Sequence, residues 1–360
     1  MPPYFQAAIN IVATGTLCLL PFCGHKGETV LRGQTMGTTY QVRLHAPPSN
    51  LDVGKLQVAI DGELNEFNQL FSNWDPDSEV SRLNRSTESG LISVSGHMHH
   101  MLSASLSLAR STRGAFDPTV PPLLRVWGFG PGQANGRPRE IPDDAEIARA
   151  LRRVGYRKLS MPHKMELLKP PGVELDFSAI AKGYAVDRVF MERGRGIRDA
   201  GIMVEIGGEV RVSPRADGRP WRVGLERPRY DGARDLLRVA YVHRGAVATS
   251  GDYRNYFETD GQRYAHVIDP RTGRPARSRL ASATVIAPSC RTADALATAL
   301  LVLGREAGMQ VCEEFKLSEC LLLERRASDP AGEPGQDEFV EVMSSGMQRF
   351  LDPEGGSAHY

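Results

Sequence analysis

Ile202-Met-Val-Glu-Ile206-Gly-Gly-Glu-Val-Arg-Val212 decides the fold class, because two short strand-like runs meet across a Gly-Gly pair. Glycine supplies the positive φ that a two-residue turn needs, so such runs fold back on each other as an antiparallel hairpin. The same signature continues downstream. Trp221–Leu225, Leu236–Val242, Tyr253–Glu258 and Tyr264–Ile268 read as strands, with Asp217-Gly218 and Asp260-Gly261 as further hairpin dipeptides. Ala281–Ile286 adds one strand, and Phe339–Val342 can return as a last one. Upstream, Gln41–Leu44 alternates like a strand reached from Met36-Gly-Thr-Thr39.

Helical periodicity lies around this run. Val53, Leu56, Ile60, Leu64, Phe67 and Leu70 recur at three- and four-residue steps and predict a helix that runs into the turn-rich segment Ser72–Glu79. Met98, Met101, Leu102, Leu106 and Ala109 mark a second helix. Asp143 and Glu146 have capping-box spacing for a third, ending at Gly155. Val173–Phe177 reads as a short strand, and Ser178 can cap a helix through Ile180, Val186, Val189 and Phe190. Hairpins with helices bunched nearby imply an α+β architecture of mixed or antiparallel sheets, not a doubly wound parallel sheet. Gly128–Pro142 and Asp329–Gln336 read as loops, and no internal repeat is present.

Arg291–Gly304 reads as a short buried helix that is apolar on nearly every side yet carries Asp294 and Thr298. Four residues apart, they stack one turn above the other on one helical face. A carboxylate on an apolar helix is costly unless it is paired or holds a metal, and two hard oxygens from one face suit Mg²⁺. The alternative is structural: Asp294 caps the helix and Thr298 bonds back to the i−4 carbonyl.

The 360 residues carry 44 Lys+Arg against 43 Asp+Glu, a net charge of +1, and no long like-charge run, so nothing suggests a nucleic-acid partner. Pairs such as Arg193/Arg195 and Arg325-Arg326 read as solvated surface. Residues 1–25 hold an apolar run, Ala7–Cys23, of signal-peptide length and short for a membrane span. It reads as an export or lipoprotein leader, although no Lys or Arg precedes it and Phe22 stands where a lipid-bearing Cys23 would want a small neighbour. Residues 30–351 read as a single domain and 352–360 as a disordered tail. Outside the leader three cysteines remain (Cys290, Cys312 and Cys320), an odd number without zinc or C-x-x-C spacing, so buried apolar thiols are the default.

Neither a P-loop nor a strand-anchored G-x-G-x-x-G is present, and G-x-S-x-G is absent. Ile206-Gly207-Gly208 reads as a turn in preference to a phosphate nest. Three other segments concentrate chemistry. Asp176-Phe-Ser-Ala179-Ile-Ala-Lys182-Gly183 lies at a helix start, where free N–H groups favour phosphate and Lys182 adds charge; the alternative is a capped helix with Lys182 in solvent. In His266-Val-Ile268-Asp269-Pro-Arg-Thr-Gly273, His266 can serve as a general base and Asp269 as an Asx-turn residue. Gly114-Ala115-Phe116-Asp117-Pro118 is a turn with a carboxylate. Trp74 can stack on a flat ring or plug the core.

Taken in register, these segments resemble the FAD:protein FMN transferase (ApbE) family. The resemblance is carried by Met36-Gly-Thr38, Asp77–Asn84, Gly114–Pro118 leading to Trp127-Gly-Phe129, Asp176–Gly183, Ile206–Gly208, Thr249–Tyr256, His266–Gly273 and Ala293–Thr298. It implies an ApbE-like, T-fold-like domain that moves FMN from FAD onto a threonine or serine hydroxyl of an acceptor protein and releases AMP. It further implies Mg²⁺ held by Asp294, Thr298 and the main-chain carbonyl of Ala179. Some relatives carry a second Asp where this chain has Ala297. The implied flavin contacts are Met36, Trp74 (tyrosine in some relatives), Ala115, Phe116, Asp117, Asp176, Lys182 and Ile268, with His266 deprotonating the acceptor. Export to the periplasmic side of the inner membrane, with or without a lipid anchor, is implied as well. FAD hydrolysis to FMN and AMP, or FAD binding without turnover, are the competing functions.

Overall fold

The Ile202–Val212 hairpin lies near the middle of an eight-stranded sheet. A computed structural model describes residues 27–353 except 89, 131–140, 195–196, 198–199, 232, 254, 260–261 and 327–338. The expectations for the leader, for Arg195, for the Asp260-Gly261 turn, for Asp329–Gln336, for most of the Gly128–Pro142 loop and for the tail beyond residue 353 lie outside these residues.

In space the sheet runs Glu28–Thr35, Thr38–His45, Gly201–Ile206, Glu209–Val212, Gly245–Gly251, Leu280–Ala287, Glu319–Arg325, Phe339–Met343. Every neighbouring pair is antiparallel, and spatial order follows chain order. The α+β expectation holds. Ile202, Val204 and Ile206 pack with the helices on one face, while Met203, Val210 and Val212 join a second apolar cluster on the other. Strand alternation makes that division, and both faces are covered: all six residues of Gly201–Ile206 are buried. Helices Val53–Phe71, Ala181–Gly194 and Cys290–Glu314 form the first cover. A separate hairpin, Trp221–Glu226 with Leu236–Val242, forms the second together with the short helix Gln348–Leu351.

The helices at Val53–Phe71 and Gly96–Ser111 match their periodicity. Asp143 and Glu146 form the capping box, but that helix, Asp144–Leu151, stops short of Gly155. Three sheet strands lacked a readable pattern. Gly245–Gly251 and Glu319–Arg325 are largely buried on both faces, which removes alternation, and Glu28–Thr35 is a polar edge strand. Val173–Phe177 is not a strand. Its donors go elsewhere, Leu175 N–H to Asn84 Oδ1 (2.7 Å) and Asp176 N–H to the Pro118 carbonyl (2.8 Å). Asp217-Gly218 is a turn, but the strands on either side of it pair with other partners. Where strands were expected at Tyr253–Glu258 and Tyr264–Ile268, the structure has Tyr256–Thr259 paired with Gln262–Ala265, and Ile268–Asp269 paired with Arg274–Pro275.

The helix expected at Arg291–Gly304 extends over Cys290–Glu314, interrupted at Gly304 (φ 77°, ψ −174°). A Cβ on Gly308 would lie 3.5 Å from the carbonyl oxygen of Leu300, eight residues back, so the chain bends sharply at Gly304 and brings the start of the second half against the end of the first. The helix start has an unusual cap. Ser289 contributes no side-chain cap bond, and Asp187 of the neighbouring helix accepts from Cys290 N–H (2.9 Å) and Arg291 N–H (3.1 Å) while pairing with Arg211 (2.6 Å). Cys290, Cys312 and Cys320 are free, buried thiols.

Candidate active site

Because the strands alternate in direction, every second connection leaves from one end of the sheet. The turns at 35–38 and 206–209 lie side by side there: Gly207 N–H donates to the Thr39 carbonyl (3.1 Å), and a Cβ on Gly207 would stand 2.8 Å from Thr38 Cγ2. Met36 occupies the first turn with φ 50°, a left-handed conformation that a non-glycine residue adopts at a cost of about 1–2 kcal/mol. The turn reading of Gly207-Gly208 is correct, with φ of 59° and 107°.

Two helices cross at this end. Gly183 permits the crossing, since a Cβ there would lie 2.4 Å from the Cys290 carbonyl oxygen and 2.8 Å from Asp294 Cβ. Asp294, 3 % exposed, does not cap its own helix; its Oδ2 accepts the Gly183 N–H (2.9 Å). In a continued helix that N–H would close on the Ala179 carbonyl. Regular helix begins only at Ala181, which leaves Ala179 in the turn just before it. One turn beyond Asp294, the Thr298 hydroxyl lies 3.0 Å from Ser250 Oγ and 3.4 Å from the Asp294 carbonyl, so the structural alternative is half right. A carboxylate, a hydroxyl and a main-chain carbonyl are hard oxygens, a donor set that fits Mg²⁺. Ala297 is fully buried and offers no ligand atom, and among the described residues no group of three His, Cys, Asp or Glu gathers.

Lys182 is not simply in solvent. Its Nζ lies 2.5 Å from Oε1 of Glu209, which is 2 % exposed, and its stem passes the Gly207 turn. Beside it Glu205 accepts the Gly208 N–H (2.8 Å). Burial, more than the opposing hydrogen bond, pushes the Glu205 carboxyl up to about 7, and the charge of Glu209 adds to the rise.

Trp74 and Asp176 edge a cleft of about 270 Å³ that Asn84, Arg85, Pro121 and Leu124 also line. Trp74 is 72 % exposed, which excludes the core-plug alternative. Asp176 accepts from Asn73 Nδ2 (2.9 Å) and from Ser178 N–H (2.6 Å), so Asp176 supplies the side-chain acceptor expected of Ser178. Ala115 and Phe116 are buried. The Asp117 carboxylate points inward, to Thr119 N–H and hydroxyl and to Tyr156 N–H, and burial raises its pKa.

His266 Nδ1 faces the Asn255 carbonyl at 2.9 Å. A carbonyl only accepts, so Nδ1 carries a proton, and in the neutral ring the lone pair that a general base needs is on Nε2. Ile268 is buried beside Trp127 and Phe129. Asp269 is the Asx-turn residue, bonded to Arg271 through N–H and guanidinium. Gly273 lets the turn sit against Ile147, and its carbonyl accepts from Trp127 Nε1 (2.7 Å). Gly114 lies near Arg271, which brings the Gly114–Pro118 and His266–Gly273 segments together.

Asn84, Asp187, Glu209 and Asn255 hold this site without having been assigned a role from sequence. Asn84 and Asn255 stood inside quoted motifs, which was the available signal; the other two act through partners distant in the chain.

The overall fold is shared with solved flavin transferases. The structure matches Flavin Transferase ApbE from Vibrio cholerae with a TM-score of 0.77 and 39 % identity, covering 90 % of this chain and 99 % of that one. It matches the apo form of Pseudomonas stutzeri flavinyl transferase ApbE at 0.77 and 33 %, covering 92 % and 98 %. The chain belongs to the ApbE family, whose profile matches residues 36–322. Among characterised sequences, it is 40 % identical to a FAD:protein FMN transferase of Vibrio cholerae over 95 % of this chain and 98 % of that one. The Haemophilus influenzae protein of the same name is 37 % identical, over 87 % and 92 %.

Proposed function

We propose that this chain transfers FMN from FAD to a threonine or serine hydroxyl of an acceptor protein and releases AMP. The observation that carries the reading is the crossing at Gly183, whose N–H the buried Asp294 carboxylate accepts, next in sequence to Lys182 and with Thr298 one helical turn beyond Asp294. Family membership supports it.

The acceptor hydroxyl attacks the FMN-side phosphorus; the bond from that phosphorus to the bridging oxygen breaks and AMP leaves. His266 Nε2 takes the hydroxyl proton, its tautomer fixed by the Asn255 carbonyl. Lys182 sets a positive charge against the diphosphate or flavin, and Trp74 offers its exposed ring as a stacking plate. Asp294, Thr298 and the Ala179 carbonyl would hold Mg²⁺, which when bound offsets charge building on the phosphates. With one carboxylate and Ala297 in place of a second, such a site would leave positions for water and substrate oxygens, which Mg²⁺ tolerates. The proposal extends to location: the apolar run Ala7–Cys23 supports export, and fractionation with a mass of the mature N-terminus tests export and lipid attachment together.

Incubation with FAD, Mg²⁺ and an acceptor domain should give an acceptor whose flavin fluorescence survives denaturing electrophoresis. Asp294→Ala should lower turnover about 10²-fold or more, as for other lost transition-state electrostatics. Free FMN and AMP without labelled acceptor would convert the reading to hydrolysis, and FAD binding without AMP release would leave only a flavin-binding protein.

A further inference from the structure

We propose that Glu209 is a positioning residue for Lys182: a buried carboxylate that fixes the lysine ammonium toward the bound dinucleotide. The inference rests on the flavin-transfer reading and assigns a role to a residue outside the family-implied site.

Lysine is a flexible stem ending in three donors, and left in water it samples many rotamers. Here the head lies 2.5 Å from Glu209 Oε1, and the stem Cδ would be 3.4 Å from a Cβ on Gly207. The stem thus runs at ordinary contact distance past the Gly207 turn, and Glu209 gives it an end point. Glu209 is 2 % exposed while the lysine side chain keeps 29 %, so the pair is anchored from below and open above. One ammonium N–H is directed at the carboxylate, and the exposed part of the side chain faces the site.

The surrounding charges agree with this division of labour. Glu205 and Glu209 leave the same Gly-Gly turn, and Lys182 and Arg234 face Glu205. Cys290, on the long helix, lies within the field of Glu209 as well as of Asp187, Asp294 and Arg211. Two adjacent buried carboxylates with one close ammonium favour a state in which one is protonated. Burial raises the Glu205 pKa and the charge of Glu209 adds to the rise, while the short contact to the ammonium is made by Glu209.

A double-mutant cycle tests the inference, with FAD affinity read from flavin fluorescence and kcat from AMP release. Glu209→Gln should weaken FAD binding about tenfold, the order expected from one charge-assisted contact, with a much smaller change in kcat. In a Lys182→Met background the same change should leave FAD affinity unaltered. Equal losses in both backgrounds would show that Glu209 does not act through Lys182 and would overturn the inference. Should Glu209→Gln not fold, Glu209→Asp answers the question by withdrawing the charge one methylene: weaker FAD binding at unchanged melting temperature supports the inference, and wild-type affinity overturns it. Failure of the unmutated chain to bind FAD would remove the flavin-transfer reading itself, together with this inference.

Discussion

Replacing Gly183 by alanine tests the helix crossing on which the site is built. The added Cβ would sit 2.4 Å from the Cys290 carbonyl oxygen and 2.7 Å from its carbon, against a floor of 3.0 Å for real Cβ contacts. Both neighbours are main-chain atoms, so the helices must part by roughly 0.6 Å or more. Overpacking of this kind costs about 1–3 kcal/mol, and stretching the Gly183-to-Asp294 hydrogen bond adds about 1–2 kcal/mol. Alanine returns about 1 kcal/mol through its helix propensity. The net is a loss of about 1–4 kcal/mol, measurable by urea unfolding. The same movement shifts the Asp294 carboxylate, and misplacement approaching 1 Å costs about 10²-fold in rate, so AMP release should fall between tenfold and a hundredfold in protein that is still folded. A variant as stable as the parent, releasing AMP within twofold of its rate, would refute the close crossing and the site drawn from it.

Three further perturbations separate stability from chemistry. Glu205→Gln should stabilise the chain by an amount that grows with pH: between pH 4.5 and about 7 the folded carboxyl keeps a proton that the unfolded one has lost, so wild-type stability falls as pH rises. The cost reaches about 3 kcal/mol above pH 7, and a difference between the two proteins that is equal at pH 4.5 and pH 8 in denaturant titrations would contradict it. Asp187→Ala removes the cap that the neighbouring helix lends to Cys290 and Arg291 and strands Arg211. It should cost about 2–4 kcal/mol, and an unchanged thermal midpoint would argue against the borrowed cap. Trp74→Ala should leave stability within about 0.5 kcal/mol, because the ring is exposed, yet weaken FAD binding about tenfold. A calorimetric titration giving wild-type affinity would take Trp74 out of the site.

What could be read from the chain depended on how far apart the partners lay. The Ile202–Val212 hairpin carries its own turn, and the Asp294/Thr298 pair carries its own spacing, so both were legible. Local spacing could not say which acceptor or donor each would meet: Asp294 takes an N–H from Gly183, 111 residues earlier, and not from its own helix start. Lys182 looked equally suited to solvent or phosphate, because Glu209 reaches it only once the sheet has formed. Val173–Phe177 looked like a strand because its composition is that of one; Asn84 and Pro118 divert its backbone instead. The break at Gly304 was misread as an end, since a glycine there fits a stop as well as a sharp bend.

The meander also separates what can be altered from what cannot. The connection that follows Val212 leaves from the end of the sheet opposite the Gly207 turn, and within it Gly218 (φ 69°) has open space around its missing Cβ. A peptide tag or a small fluorescent domain inserted at Asp217-Gly218 would hang from the back of the molecule. Protein tethered there would present the Met36 and Gly207 turns outward, giving an immobilised reagent whose working end stays open to FAD and to a large acceptor.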